Sequence, residues 1–274
     1  MTTGAGAFLS ETFVLYQRSM KKQLRRPIAI YFSLIQPVIW MLLFGQIFNR
    51  IAGMNRQAFG DKSYFQFFVP AVLLQTLLFG AAQSGIGIIN DMQSGFLNKL
   101  LTTPVHRMAI LLGRILGDLT RMILQGLIIV LIAWLAGQLQ SDPVRYEYGP
   151  AGVLAALGIA VMFGVGLASF NVFLALKTRS TESTFLIANF LTLPLLFTSS
   201  AQLPVPLLPE WLQHVARVNP VTYAIDAMRV LLNGRQAVPD AEPTRLILQA
   251  VAILSVIAAV TLTMAVRSFR KSLR

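Results

Sequence analysis

Six stretches of the chain are nearly free of charged residues, and polar segments separate them. They lie at about 28–48, 65–89, 110–139, 150–176, 185–203 and 246–266, the third being fully uncharged from residue 122 onward. About 20 apolar residues in a helix cross the roughly 30 Å hydrocarbon core of a bilayer, at 1.5 Å per residue. The pattern predicts an all-α polytopic membrane protein with six transmembrane helices.

Residues 1–26 have a different, amphipathic pattern. Five apolar residues recur at spacings of three and four, which places them on one helical face: Leu9, Phe13, Tyr16, Met20 and Leu24. Cations fill the other side, as in a helix that lies in the membrane interface. Because proline restricts the residue before it, Arg26-Pro27 ends this helix. We expect an N-terminal amphipathic helix over 1–26 and a membrane domain over 27–274.

Two further segments are too polar or too irregular to span. The stretch from Ser94 to Arg107 lies between the second and third apolar runs and predicts a short, polar-edged helix that ends at Pro104. The stretch 204–245 contains three early prolines and then two short apolar pieces. These pieces predict two short helices that lie on or dip into the outer leaflet, because irregular backbone at that depth needs protein or water around it.

Ionisable residues inside or beside the spans are candidates for function. The third run begins with Arg114, Asp118 and Arg121, spaced so that the carboxylate can meet either guanidinium on one helical face. An ion-pair cluster at the cytoplasmic end of this helix is the favoured interpretation. Asp226 and Arg229 stand at helical pairing distance in the second short outer helix.

A few amides lie within the apolar runs. They are Gln36, Gln75, Gln83 and Asn189. For Gln75 and Gln83, hydrogen bonds between neighbouring helices are favoured over a lining of the substrate path, since polar side chains hold helices together in lipid. The path stays open as an alternative for all four.

Composition agrees with a membrane protein. The chain is 55% hydrophobic and 12% charged, against roughly 25% charged for a soluble domain. It has no cysteine, which excludes disulfides and thiolate metal sites, and its two histidines lie far apart. The N-terminus lacks the pattern of a cleavable signal, so we expect the first span to direct insertion.

The net charge of +12 is explained by cations retained on one side of the membrane rather than by nucleic-acid binding. With six spans, fifteen Lys and Arg fall on the side of both termini and eight on the other. Four of those eight lie in the long last loop, where the charge rule is weak. We therefore expect a protein of the cell (inner or plasma) membrane with both termini in the cytoplasm.

Three stretches in this order resemble the permease subunits of ABC-2 type exporters, in the branch of bacterial daunorubicin/doxorubicin-resistance permeases. The first is Asp91–Arg107, with Gly95-Phe96-Leu97 and Thr103-Pro104-Val105-His106-Arg107, continuing to Arg114. The second is Leu193–Phe197 followed by Leu208–Leu212, and the third is Asn219–Arg229. The resemblance covers essentially the whole chain.

The resemblance implies a six-helix subunit that pairs with a second permease, identical or paralogous. Two copies of a separate ATP-binding subunit would drive it, binding ATP and Mg while this chain binds no cofactor. The N-terminal helix would be the connecting helix and the two outer pieces would be re-entrant helices. Coupling to the ATPase would fall to Gly95, Phe96, Leu97, Asn98, Lys99, Leu100, Leu101 and Thr103.

The chain departs from the family at the coupling helix. Positions that usually carry charged residues there hold Met92, Gln93 and Asn98. We therefore expect docking on the ATPase to depend less on charge than is usual in the family.

Missing motifs narrow the function. The chain contains no GxxxxGK[ST] phosphate loop, no HExxH and no GxSxG. An exporter of this kind must take its energy from another polypeptide. We expect ATP-driven export of amphipathic drug-like, lipid or lipid-linked substrates by alternating access.

Three alternatives stay open. One, within the same family, is export of a lipid-linked polysaccharide or glycolipid. A secondary transporter would have inverted repeats, which are not evident in the sequence. An intramembrane enzyme would have to use His106, His214, Asp118 or Asp226, which form no motif.

Overall fold

A computed structural model of the chain describes residues 5–25, 27–103, 105–139, 143–239 and 241–272. Within these ranges the regular structure is helical, with eleven α-helices, three short 3₁₀ turns and no strand. The helices are α1 Ala5–Leu24, α2 Pro27–Ile47, α3 Asn49–Met54, α4 Tyr64–Gln93, α5 Phe96–Leu101, α6 Arg107–Gln138, α7 Gly149–Thr178, α8 Thr181–Phe197, α9 Glu210–Val218, α10 Pro220–Asn233 and α11 Pro243–Ser272.

Several helices are suited to a bilayer. Four helical segments are long and apolar enough to cross one: Arg56–Gln93, Met108–Gln138, Gly149–Thr178 and Pro243–Lys271. The described parts of two further apolar helices are shorter, Ser33–Ile47 and Thr181–Phe197. The chain is therefore an all-helical polytopic membrane protein, and all six predicted apolar runs lie largely in these helices.

The fifth run ends earlier than predicted. We predicted 185–203, but α8 ends at Phe197. The hydroxyl of Thr198 donates to Pro194 O at 2.8 Å, and Asn219 Nδ2 donates to Leu195 O at 2.7 Å. These side chains satisfy carbonyls that a longer helix would use, so the chain turns here.

Helix α4 is the centre of the bundle. It packs against α2, α6, α7, α8 and α10. Of its most apolar stretch, 89% is buried within the chain, against 11% for α11. Because α4 is apolar on nearly every face, it is suited to this position. Ser63 begins the helix by accepting a hydrogen bond from Gln66 N.

The N-terminal helix α1 packs along the first half of α6. Two glycines of α6 make the close approach possible. A Cβ on Gly113 would lie 2.8 Å from Leu15 Cβ and from Thr12 O, and one on Gly117 would lie 2.5 Å from Ser19 Oγ. The predicted apolar stripe of α1 faces outward, with Leu9 65% exposed. Residues 1–4 and 26 of the predicted N-terminal helix lie outside the described ranges.

Candidate functional site: the coupling segment and the central cavity

Helix α5 connects the end of α4 to the start of α6. It occupies Phe96–Leu101, a shorter stretch than the predicted helix from Ser94 onward, and Pro104 lies outside the described residues. Gly95 breaks the helix before it, because its φ of +67° is a left-handed conformation that favours glycine. The sharp turn this glycine allows separates α5 from α4.

The predicted coupling residues differ in exposure. Lys99 and Thr103 are exposed, whereas Gly95, Phe96 and Leu100 are half-buried. The side chains of Leu97, Asn98 and Leu101 lie outside what the structure describes. Of the described coupling residues, Lys99 and Thr103 are therefore the ones most accessible to a partner.

Helix α1 contacts both ends of the stretch from Phe96 to His106, which we call the coupling segment after its predicted role. The guanidinium carbon of Arg18 lies 3.2 Å from the centroid of the Phe96 ring, a cation–π contact. At the other end, Glu11 Oε2 accepts a hydrogen bond from His106 N at 2.8 Å and lies 2.9 Å from His106 Nδ1. These bonds from His106 hold the pKa of the Glu11 carboxyl below its usual value. Helix α1 thus contacts the chain on both sides of α5.

Asp91, near the end of α4, joins three helices. Lys22 Nζ of α1 lies 2.7 Å from Asp91 Oδ1, and Arg114 Nη1 of α6 lies 2.5 Å from Asp91 Oδ2. Arg18 Nη2 lies 3.6 Å from Oδ1. Sequence reasoning did not single out Asp91 as an ion-pair partner. The available signal was an acid at the end of an apolar span, with a basic amphipathic helix elsewhere in the chain.

Arg114, Asp118 and Arg121 of α6 are arranged differently from the predicted pairing. Arg114 Nε lies 3.9 Å from Asp118 Oδ2, while the main partner of Arg114 is Asp91. Asp118 Oδ1 accepts a hydrogen bond from Gln23 Nε2 at 3.1 Å. Arg121 Nη2 donates to Gly80 O of α4 at 2.8 Å. The cluster thus extends across α1, α4 and α6 rather than along one helical face.

The second predicted pair lies at the other end of the bundle. Arg229 Nη1 is 2.8 Å from Asp226 Oδ1 within α10. The same guanidinium donates to Ser200 O at 2.5 Å and to Phe67 O of α4 at 3.3 Å, and its carbon lies 3.7 Å from the Phe67 ring centroid. Arg229 is 1% exposed. This group fastens α10 and the turn after α8 to α4.

A cavity of about 620 Å³ lies between α1, α2, α4, α6 and α8. Gln36, Gln83 and Asn189 line it, whereas Gln75 is half-buried and lies outside the lining. Arg114, Asp118 and Arg121 line it too, beside Asp91, Arg18 and Lys22. Three of the four residues predicted for a path therefore share one space with the ion-pair residues of α6.

The cavity is lined by charged groups and amides from several separate helices. Within the described ranges, no three His, Asp or Glu side chains are grouped so as to hold a metal ion.

Comparisons with known proteins agree with this geometry. Residues 10–233 match the family model described as ABC-2 type transporter. The chain is 31% identical to the ycf38 protein of Cyanophora paradoxa, named as a transport permease, over 229 residues that make up 82% of this chain and 74% of that one. It is 25% identical over 228 residues to the daunorubicin resistance ABC transporter permease DrrB1 of Streptomyces coeruleorubidus, covering 82% and 76%. It is 24% identical over 208 residues to the inner membrane transport permease YadH of Escherichia coli, covering 76% and 78%.

Proposed function

Because the chain belongs to the ABC-2 type transporter family, we propose that it is the permease subunit of an ATP-driven exporter of amphipathic drug-like, lipid or lipid-linked molecules. Members of this family are membrane subunits of ABC transporters and work with an ATP-binding subunit. In this proposal two copies of that subunit bind ATP and Mg, and a second permease, identical or paralogous, completes the complex.

One observation carries the proposal most directly. Helix α1 contacts the start of α5 through Arg18 and Phe96, and it contacts His106, the residue before α6, through Glu11. Helix α1 in turn reaches Asp91 of α4 and packs along α6. A push on α5 therefore moves three helices that line the central cavity, which is what alternating access requires.

Energy must come from the partner subunit. A shift of a two-state equilibrium from mostly closed to mostly open needs about 5.5 kcal/mol of differential binding. The closure of two ATP-binding subunits around nucleotide supplies differential binding of this kind. The permease contributes the coupling helix and the cavity.

Six crossings with both termini in the cytoplasm form the topology of the proposal. It is supported by the six apolar helices and by the excess of Lys and Arg on one side. The chain has no native cysteine, so the labelling of a single introduced cysteine shows which side of the membrane that position faces. Cysteines at the exposed positions Arg56 and Arg217 should react with an impermeant reagent from outside, and one at exposed Lys99 only from inside. The reverse pattern would overturn the topology.

The proposed function is tested by measuring how strongly the permease stimulates ATP hydrolysis by its partner subunit. The tagged chain is purified with its ATP-binding subunit, and ATP hydrolysis is measured for wild type and for Phe96→Ala. We expect Phe96→Ala to lose most of the stimulation of hydrolysis by the permease, because it removes the ring that Arg18 contacts. Phe190→Ala on α8, where the ring is 77% exposed, is the matched control and should keep it. Unchanged stimulation in Phe96→Ala, or a purified chain that transports without any ATP-binding subunit, would contradict the proposal.

A further inference from the structure

The central cavity has more positive than negative charge. Four cations line it, Arg18, Lys22, Arg114 and Arg121, and two carboxylates, Asp91 and Asp118. This leaves two positive charges in excess. Lys22 and Arg114 contact Asp91 directly. Arg121 instead makes its hydrogen bond to a neutral backbone carbonyl, that of Gly80. Arg18 also lies 3.6 Å from Asp91, so three cations share this one carboxylate, and the excess is centred on the Asp91 cluster, with Arg121 lining the same cavity.

Buried hydrogen-bond donors in this lining lack acceptors. Among the described residues, Arg121 Nε and Arg114 Nε are buried and have no hydrogen-bond partner. A buried donor without an acceptor is costly, and more so when it carries charge. Phosphate and carboxylate oxygens are the acceptors that match a guanidinium best, through short charge-assisted bonds.

The rest of the cavity lining combines neutral polar residues with an apolar part. The apolar part includes Phe79, Ala82 and Ile86 of α4, together with Pro37 of α2 and Phe185 of α8. Along α4 the lining extends from Thr76 to Asp91, which corresponds to about 22 Å at 1.5 Å per residue. The volume of about 620 Å³ falls within the range of about 300–1,000 Å³ that small-molecule sites occupy.

We propose that this cavity binds an anionic amphiphile. A phosphate or carboxylate headgroup lies between Arg121 and the cluster around Asp91, and the apolar body lies against Phe79, Ile86 and Phe185. The excess of positive charge disfavours cationic amphiphiles at the same place. That the bound amphiphile is the exported cargo rests on the proposed function, whereas the binding itself does not.

Binding is measured on the full chain alone, purified in a neutral maltoside detergent. Three probes are titrated: dodecyl phosphate, dodecyltrimethylammonium and inorganic phosphate. Dodecyl phosphate should bind at least tenfold more tightly than either of the others, and it should raise the melting temperature, because a ligand that binds only the folded state stabilises it.

Variants locate the site. Arg121→Gln should weaken dodecyl phosphate binding at least tenfold, and Arg121→Lys should largely retain it. Ala82→Phe fills the apolar part without changing charge and should weaken binding to a similar extent. Arg267→Gln is the control, since Arg267 is exposed on α11 and lies outside the lining. If Arg121→Gln does not fold, Ala82→Phe still decides the question.

Four results would overturn the proposal. These are equal binding of the cationic amphiphile, equal binding of inorganic phosphate (a free-anion site), an equal loss in Arg267→Gln (surface charge alone), or full binding in Ala82→Phe. Failure of binding with coupled ATP hydrolysis intact would remove this inference and leave the proposed function. Specific binding by a chain that never couples to an ATP-binding subunit would do the reverse.

Discussion

Two ion clusters with the same residue types lie at opposite ends of the bundle: Asp226 with Arg229, and the group around Asp91. We call them the outer and the inner cluster after the sides on which the proposed topology places them. At the outer cluster, all three guanidinium nitrogens of Arg229 are hydrogen-bonded, and Asp226 Oδ1 also accepts from Ser200 Oγ at 2.7 Å. At the inner cluster, Asp91 is shared among cations from two helices, and Arg114 Nε has no hydrogen-bond partner among the described residues. The outer group is enclosed and saturated, whereas the inner group lines an open cavity.

The difference indicates that the outer cluster fixes its helices in place, whereas the inner cluster allows its helices to rearrange. A buried ion pair with every donor used resists rearrangement, because moving either partner leaves the other charge unpaired. A carboxylate that several cations share loses little when one of them moves away. We therefore expect the helices to rearrange more readily at the inner cluster than at the outer cluster.

The largest expected effect comes from removing the outer guanidinium. Arg229→Met should lower the free energy of unfolding by about 3–5 kcal/mol, because it leaves the Asp226 carboxylate buried without its partner. Thermal and denaturant unfolding in detergent measure this. Arg229→Met combined with Asp226→Leu should recover much of the loss. If Arg229→Met alone is as stable as wild type, the outer cluster does not stabilise the fold.

Neutralising the inner carboxylate should cost less. Asp91→Asn removes charge-assisted bonds to Lys22 and Arg114, which are partly solvated, and should lower the unfolding free energy by about 1–2 kcal/mol. It should also reduce permease-stimulated ATP hydrolysis, since α4 loses its link to α1.

The matched control for the inner carboxylate is Asp61→Asn. Asp61 is exposed and has a φ of 58°, a conformation that asparagine tolerates. If Asp91→Asn keeps as much permease-stimulated ATP hydrolysis as Asp61→Asn, a role for Asp91 in linking α4 to α1 is ruled out.

A substitution in the close packing of α1 on α6 should have an effect on stability of similar size. Gly117→Ala would place a Cβ 2.5 Å from Ser19 Oγ and push α1 outward, at a cost of about 1–2 kcal/mol. Gly158→Ala on α7 meets nothing within 4 Å and should be neutral or slightly stabilising. Melting temperatures of the two variants measure the difference. Equal values would mean that α1 is not held on α6 in this way.

The contact between Glu11 and His106 predicts the smallest effect, one that depends on pH. The pKa of Glu11 is lower in the folded chain than in the unfolded chain. The contact therefore stabilises the fold fully above the ordinary pKa of a glutamate, and this contribution is lost as the pH falls through the lowered folded value. The melting temperatures of wild type and Glu11→Gln should differ at neutral pH and converge in acid. A difference that does not change with pH would contradict this assignment.

The sequence was informative where local pattern decides structure. The apolar runs predicted the long helices, and the spacing of Asp226 and Arg229 anticipated a contact that lies within one helix. Contacts between distant segments were not predictable in this way. Lys22 is 69 positions from Asp91, and nothing local to either residue indicates their pairing. The early end of α8 likewise depends on Asn219, a side chain 24 positions from the carbonyl it binds.

Helix α4 contains both the Phe67 carbonyl that Arg229 holds and the Asp91 carboxylate that the inner cations share. These two points are 24 residues apart on one continuous helix, or about 36 Å. The helix is therefore held by saturated contacts at its Phe67 end and by shared contacts at its Asp91 end. A tilt of only a few degrees about the Phe67 end would displace the Asp91 end by a few ångströms, enough to change the shape of the cavity that Asp91 lines.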